Sequence, residues 1–406
     1  MRVLCSTTAG DGHFGPLAVL AQECSAAGHE VQVAAPASFA GAVGRAGLRH
    51  VSFPDAPAEA MAAVFETLPA MSLERANQTV MAEVFGRLDA QAAFPVLQAV
   101  VADWRPDVVL REPAEFGSLA AAEVAGVPHA EVAIGVGALM AWARDHLVDP
   151  LAELEMLAGL EHGHLSLAAH GSPLFTMVPP SMDEAVGRAG PNEGPDRDVV
   201  RYRALREAGG GRLPATWGDP DAPLVYVTFG TVAAGLGQMD DVFRSALDAL
   251  SGLSVRVLMT TGYAGDVALS DLPRNAHVER YWPQDQVMPL ASAVVGHGGF
   301  GTTLSALSAG VPQVVVPLFT TDQLFNADAV SALGVGVSLL GGSEAVPDVA
   351  AAVLRVMSDQ DIRDRAGEVA AQISSLPDPA GVLGEISRIA VGHASRRRSR
   401  GQLRPR

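Results

Sequence analysis

The chain has 406 residues, too long for a single small module and consistent with two or three domains at roughly 150 residues each. Hydrophobic residues make up 49% and charged residues 18%, a balance that builds large cores and excludes a disordered chain. The formal charge of -17 repels a phosphate backbone, so nucleic acid is not expected as a partner; the one local exception is the C-terminus, where six arginines fall within residues 396–406.

The first expected strand, Arg2 to Ser6, leads into a loop from Thr7 to Gly15 and a helix from Pro16 to Ala27, with proline suited to a first helical turn. Gly28-His29 ends that helix and the strand Glu30 to Ala35 follows. Asp107 to Arg111 is a later strand, Gly117 to Ala125 a helix, and His129 to Ala133 a further strand. Between Pro173 and Pro223 the pattern breaks into a proline-rich stretch with the run Gly209-Gly210-Gly211, which is expected as a linker region without regular structure. Beyond it come the strand Leu224 to Phe229, the helix Asp240 to Leu250 and the strands Val255 to Thr260 and Ala293 to Gly296. The helix Thr303 to Ala309 and the strand Gln313 to Val316 complete the second half. Short β-branched runs alternating with longer amphipathic stretches predict parallel strands joined by helices. The fold class is therefore α/β, with two doubly wound, Rossmann-like parallel-sheet domains expected to face each other across a cleft, and ligands at the carboxyl ends of the strands.

Cys5 and Cys24 are too few for a disulfide framework or a zinc cage and fit a reducing compartment, so a cytoplasmic location is expected. The N-terminus turns polar too early for a secretory signal. The most apolar stretch, Gly117 to Trp142, contains Glu123, His129 and Glu131, so no membrane span is expected despite a mean hydropathy of +0.22.

Two glycine loops carry the chemistry. Gly10-Asp11-Gly12-His13-Phe14-Gly15 matches a dinucleotide fingerprint in form, but that mechanism needs a carboxylate at the end of the second strand, which reads Ala34-Ala35-Pro36. The same loop puts His13 at a strand's carboxyl end, where a neutral imidazole accepts a proton near pH 7. Glu112, just past the strand ending at Arg111, is the expected orienting acid, with Glu115 as its competitor; each residue also has a plain reading as a solvated loop group. The second loop, His297-Gly298-Gly299-Phe300-Gly301-Thr302, presents backbone amides and a helix N-terminus suited to phosphate oxygens. Tyr281-Trp282-Pro283-Gln284 offers an aromatic face for a nucleobase, and Asp322-Gln323 offers a carboxylate and an amide for sugar hydroxyls. Together these describe a nucleotide-sugar site. Asp-x-Asp pairs occur only at Asp196/Asp198, Asp219/Asp221 and Asp359/Asp361, none after an apolar strand, so no metal and no cofactor are expected.

The glycine loop with Gly12-His13-x-x-Pro16, Tyr281-Trp282-Pro283-Gln284, His297-Gly298-Gly299-x-Gly301-Thr302 and Asp322-Gln323 resembles the family 1 glycosyltransferases of GT-B fold over nearly the whole chain. Within that family the resemblance is to bacterial enzymes that glycosylate macrolide, enediyne and anthracycline antibiotics. It implies inverting, metal-independent transfer from a TDP-deoxysugar or UDP-sugar to a hydroxyl of a lipophilic natural product. His13 would be the base and Glu112 the dyad acid, although the family usually places Asp where this chain has Glu112, in Val108-Val109-Leu110-Arg111-Glu112-Pro113. The donor would be held by Gly12, Gly230, Thr231, Tyr281, Trp282, Gln284, His297, Gly298, Gly299, Gly301, Thr302, Thr321, Asp322 and Gln323. The family's stacking Trp falls in register with Tyr281. The partners implied are an aglycone and a nucleotide sugar, with a homodimer left open.

The expected domains are an acceptor-binding domain over residues 1–200, a linker over 201–222, a nucleotide-sugar domain over 223–376, a helix crossing back over 377–393 and a basic tail over 394–406, expected to be disordered. The alternatives are an NAD-dependent oxidoreductase, a nucleotide-sugar 2-epimerase of the same fold, and a catalytically silent auxiliary module.

Overall fold

The computed structural model describes residues 1–187, 197–204, 211–231, 239–262 and 271–401, with side chains up to residue 392. The chain divides into two compact units. The first comprises Met1–Met177, Ala189–Leu205 and Pro377–Arg406, the second Val178–Arg188 and Arg206–Leu376.

The first unit is built on β1 (Arg2–Ser6), β2 (Glu30–Pro36), β3 (His50–Phe53), β4 (Val108–Arg111), β5 (His129–Val132), β6 (Leu174–Thr176) and β7 (Val199–Arg201). They form one parallel sheet in the order β3-β2-β1-β4-β5-β6-β7. Strands buried on both faces read as continuous apolar runs, and here one face carries Val3, Cys5, Val33 and Leu110 while the other carries Leu4, Ala34 and Val109. Val382 and Ile386 are buried in the first of these cores, which docks the end of the chain on this unit. At roughly 25 cal/mol per Å² of apolar area, such fully buried aliphatic side chains each contribute about 1.5–3 kcal/mol.

The second unit is built on β8 (Leu224–Thr228), β9 (Arg256–Thr260), β10 (Ala276–Glu279), β11 (Ala291–Gly296), β12 (Gln313–Val315) and β13 (Gly336–Ser338). They form a parallel sheet in the order β10-β9-β8-β11-β12-β13. Both sheets reverse direction of winding beside their first strand, between β1 and β4 and between β8 and β11. In open α/β sheets that crevice is where ligands bind.

The structure corrects three expectations. The proline-rich stretch after Pro173 contains β6, β7 and the helix Pro180–Ala185; strands of three residues carry too short a pattern to stand out between prolines. The first helix begins at Asp11 rather than Pro16, so His13 sits in its first turn and not in a loop. Gly10 precedes it, and Asp11 meets the helix N-terminus with favourable charge. The last helix runs from Leu383 to Gly401, into the segment expected to be a disordered tail. The run Gly209-Gly210 and residues 402–406 lie outside the described residues. Among the described residues no helix is long and apolar enough to cross a membrane.

Candidate active site

In the first unit the winding reversal brings the end of β1 beside the end of β4. Glu112, one residue past β4, is fully buried. Its Oε2 lies 3.2 Å from His13 Nδ1 and accepts the Ala114 amide at 2.7 Å. Its Oε1 accepts the Thr8 amide at 3.1 Å and the Thr8 hydroxyl at 2.9 Å. Thr8 Oγ1 in turn lies 3.1 Å from His13 Nδ1. Burial alone would raise the Glu112 carboxyl, but the His13 charge and hydrogen bond and the two backbone amides outweigh it and leave it below the ordinary carboxylate range. A buried group held ionised this way, with four donors around it, is suited to orient an imidazole and stabilise its protonated form.

Glu115, the competing acid, faces elsewhere. It accepts the Ser118 amide at 3.1 Å and the Ser118 hydroxyl, at the start of the helix Gly117–Ala125. Burial, with the Glu112 charge adding to it, pushes Glu115 up, the Ser118 bonds only partly opposing this.

Two more groups lie around His13: Phe85, which the sequence offers only as one of several Met and Phe side chains between Met61 and Phe94 that could wall an acceptor pocket, and Asp89, which no motif marks. Phe85 lies 5.2 Å from the His13 ring centroid, on the π-helical stretch Val80–Asp89, a rare geometry that is concentrated at functional sites. Asp89 ends that stretch; burial and the Glu112 and Glu115 charges push its carboxyl up to about 7. Beneath the dyad, Arg111 is fully buried. Its Nη1 donates to the Glu112 carbonyl at 3.3 Å and its Nη2 to Glu131 at 2.8 Å. Arg111 and Glu131 are register partners across β4 and β5, and Arg197 closes on the other Glu131 oxygen at 2.8 Å.

In the second unit the reversal joins the ends of β8 and β11. His297 follows β11, and burial lowers its ring to about 4, so it is neutral near pH 7. Its Nδ1 is buried with no hydrogen-bond partner among the described residues. Phe319 stacks on its ring at 5.6 Å. Glycine at 230 and 299 is what admits the ring: a Cβ at Gly230 would come 2.9 Å from His297 Cε1, and one at Gly299 2.5 Å from Nε2. Gly298, at φ 89°, packs against Val315 and the Gln323 backbone, and its carbonyl accepts Asn326 Nδ2 at 2.8 Å. Gly301 and Thr302 lie in the first turn of the helix Phe300–Ala309, capped by Gly299, where amides point outward. Gln284 Nε2 donates to Thr302 Oγ1 at 2.8 Å, which brings two expected donor residues together.

Thr321 and Asp322 open the helix Thr321–Leu333, and Asp322 is half-buried. Gln323 is buried with its Oε1 taken by the Leu318 and Phe319 amides at 2.7 and 3.1 Å. Its Oε1 braces the loop before that helix, next to Asp322. Tyr281 is 46% exposed, whereas Trp282 donates its indole N–H to the Arg212 carbonyl at 2.8 Å and lies under the Arg212 guanidinium at 5.5 Å. Tyr281 is thus the more exposed of the two rings. Gly230 and Thr231 follow β8 directly, and Gly12 lies one residue before His13 with nothing within 4 Å of a Cβ.

Among the described residues no group of three or more His, Cys, Asp and Glu side chains could hold a metal ion. Of the Asp-x-Asp pairs, Asp219 accepts the Asp221 amide and Asp359 caps a helix; Asp196 lies outside the described residues.

The sequence matches the family described as erythromycin biosynthesis protein CIII-like, its N-terminal domain over residues 22–187 and its C-terminal domain over residues 244–389. The L-demethylnoviosyl transferase of Streptomyces niveus is 31% identical over 94% of this chain and 96% of its own length. The elloramycin glycosyltransferase ElmGT of Streptomyces olivaceus is 33% identical over 95% and 97%. Among solved structures, the glycosyltransferase SsfS6 of Streptomyces sp. SF2575 superposes with a TM-score of 0.70 at 25% identity, over 95% of this chain and 99% of that one. The calicheamicin glycosyltransferase CalG4 shares the fold with a TM-score of 0.76 at 22% identity, over 96% and 98%. With two parallel sheets of this topology and relatives matched along nearly their full length, the chain belongs to the erythromycin biosynthesis protein CIII-like glycosyltransferases of GT-B fold.

Proposed function

We propose that this glycosyltransferase moves a deoxysugar from a TDP-sugar, with UDP-sugar as the less favoured donor, to a hydroxyl of a lipophilic natural product, with inversion and without metal. The observation that carries the reading is the His13–Glu112 pair at the winding reversal of the first sheet. His13 Nε2 takes the proton of the acceptor hydroxyl, and Glu112 stabilises the resulting imidazolium. The acceptor oxygen attacks the anomeric carbon from the face opposite the diphosphate. As that bond forms, the bond from the anomeric carbon to the diphosphate oxygen breaks and its electron pair leaves with the nucleotide.

The leaving charge falls to the second unit. Amides at Gly298 and Gly299 and the helix start at Gly301-Thr302 face phosphate oxygens. His297 is kept neutral by burial and so is not a cation there. Its Nδ1, without a partner among the described residues, is a polar atom that a bound donor could satisfy. Tyr281 offers the face for the base, with Gly230, Thr231, Thr321 and Asp322 as further donor contacts. Support for thymidine comes from a structure of SsfS6, 25% identical, that is complexed with thymidine diphosphate. The Streptomyces peucetius relative, 27% identical, is a TDP-daunosamine transferase. The NAD-dependent reading falls with the family assignment.

The test is product formation from a TDP-deoxysugar and a panel of hydroxylated polyketide aglycones in excess EDTA. The expected product is a glycoside of inverted anomeric configuration, read by NMR, at the same rate with and without chelator. Retention of configuration, or loss of activity in EDTA that is restored by a divalent ion, overturns the mechanism.

A further inference from the structure

The Thr8 hydroxyl is two residues past β1, 2% exposed, and belongs to no motif in the sequence. It nevertheless touches both members of the His13–Glu112 pair. Its Oγ1 lies 2.9 Å from Glu112 Oε1 and 3.1 Å from His13 Nδ1.

A hydroxyl has one hydrogen to give. Two receivers are in reach, and the ionised carboxylate is the stronger, because a hydrogen bond to a charged acceptor is about twice as strong as one between neutral groups. With its hydrogen on Glu112, Thr8 Oγ1 presents a lone pair to Nδ1. The second neighbour of Nδ1, Glu112 Oε2 at 3.2 Å, is also an acceptor. Both neighbours therefore require a hydrogen on Nδ1, and the neutral ring keeps its lone pair on Nε2. Were the hydroxyl turned to donate to Nδ1, the hydrogen of the neutral ring would move to Nε2, where it cannot receive a proton from an acceptor.

We infer that Thr8 is a positioning residue that, together with Glu112 Oε2, holds and orients His13 in the tautomer with its lone pair on Nε2. The inference rests on His13 being the base. Thr8 touches no reacting atom; it acts through the ring and through the carboxylate. Its amide, donating to Glu112 Oε1 at 3.1 Å, already fixes the carboxylate, so the side chain's separate contribution is orientation of the hydrogen. The other ionisable groups around the pair are Glu115, which is bonded to Ser118, and Asp89, which meets His13 through its charge.

The experiment is an NMR titration of the full chain with ring-15N histidine, the His13 signals being assigned by their loss in His13→Ala. In the wild type, His13 is expected as the Nδ1–H tautomer, with Nε2 shifted to the unprotonated range; an Nε2–H tautomer there overturns the inference without reference to any variant. Thr8→Val, isosteric and lacking the hydroxyl, leaves Nδ1–H to Glu112 Oε2 alone; it is expected to keep the Nδ1–H tautomer but with shifted ring signals, and to have a kcat about 10- to 100-fold lower, as for one lost hydrogen bond to a charged group, with the donor KM unchanged. Thr8→Ser is expected near the wild-type rate and wild-type shifts. If His13→Ala is inactive while Thr8→Val keeps wild-type shifts and a rate within twofold, the inference fails and the base assignment stands. If His13→Ala itself retains activity, the base assignment fails.

Discussion

The two winding reversals occupy the same place in two sheets of the same topology, and their electrostatics are opposite. Beside β1 and β4 a buried carboxylate is held ionised against a histidine whose side chain is 23% exposed and whose Nδ1 is hydrogen-bonded. Beside β8 and β11 the histidine is buried, held neutral, and has one nitrogen without a partner among the described residues. In the proposed function the first arrangement receives a proton and the second meets an anion. Because the chain as a whole is strongly anionic, in that function the second site binds diphosphate through local dipoles and backbone amides, and not through net charge.

Three changes press on that contrast. The largest effect is expected on stability, from Arg111→Met. It removes one guanidinium from the Arg111–Glu131–Arg197 cluster, and breaking a buried ion pair costs about 3–5 kcal/mol. Thermal unfolding of the variant should begin several degrees lower, and an unchanged profile would mean that the charges under the dyad are dispensable. Next is Gly230→Ala, which puts a Cβ against the His297 ring at a backbone φ of 95°. Initial rates should show the donor KM raised about tenfold or more, with the acceptor KM near wild type; equal effects on both would erase the division of labour between the two sites.

The smallest is Asp89→Asn. Because the folded carboxyl sits at about 7, above its unfolded value of about 3.9, the folded chain holds that proton more tightly. The resulting penalty is absent below pH 4, grows as pH rises toward 7 and is constant above it. The amide should raise the melting temperature by about 2–4 °C at pH 8 and leave it unchanged at pH 4.

Much of the site was legible because strand ends and glycine loops leave strong marks. Glu112 and the His297–Thr302 loop sit within three residues of an element boundary at a winding reversal, and so does His13, in the first turn of the helix that starts at Asp11. The choice between Glu112 and Glu115 was not legible, since it depends on which carboxylate β4 turns toward β1. Thr8, Asn326 and Phe319 were invisible for the same reason: each acts across elements that are neighbours only after folding. Buried Arg111 was hidden too, because an arginine ending an apolar strand reads as its solvent-exposed border until Glu131 appears beside it. For the fold, the apolar strands toward the middle of each sheet were found, the three-residue β12 among them, whereas β3, β6, β7, β10 and β13, at or next to a sheet edge, were not; the proline at 16 was given more weight in placing the helix start than Gly10 and Asp11.

The central claim is that His13 is the proton acceptor of a transfer whose leaving group is handled elsewhere. Its most direct test is the rate of glycoside formation by His13→Ala at saturating TDP-sugar and aglycone. The expected result is a fall of about 100-fold or more with TDP affinity unchanged; activity within a few-fold of wild type would contradict it.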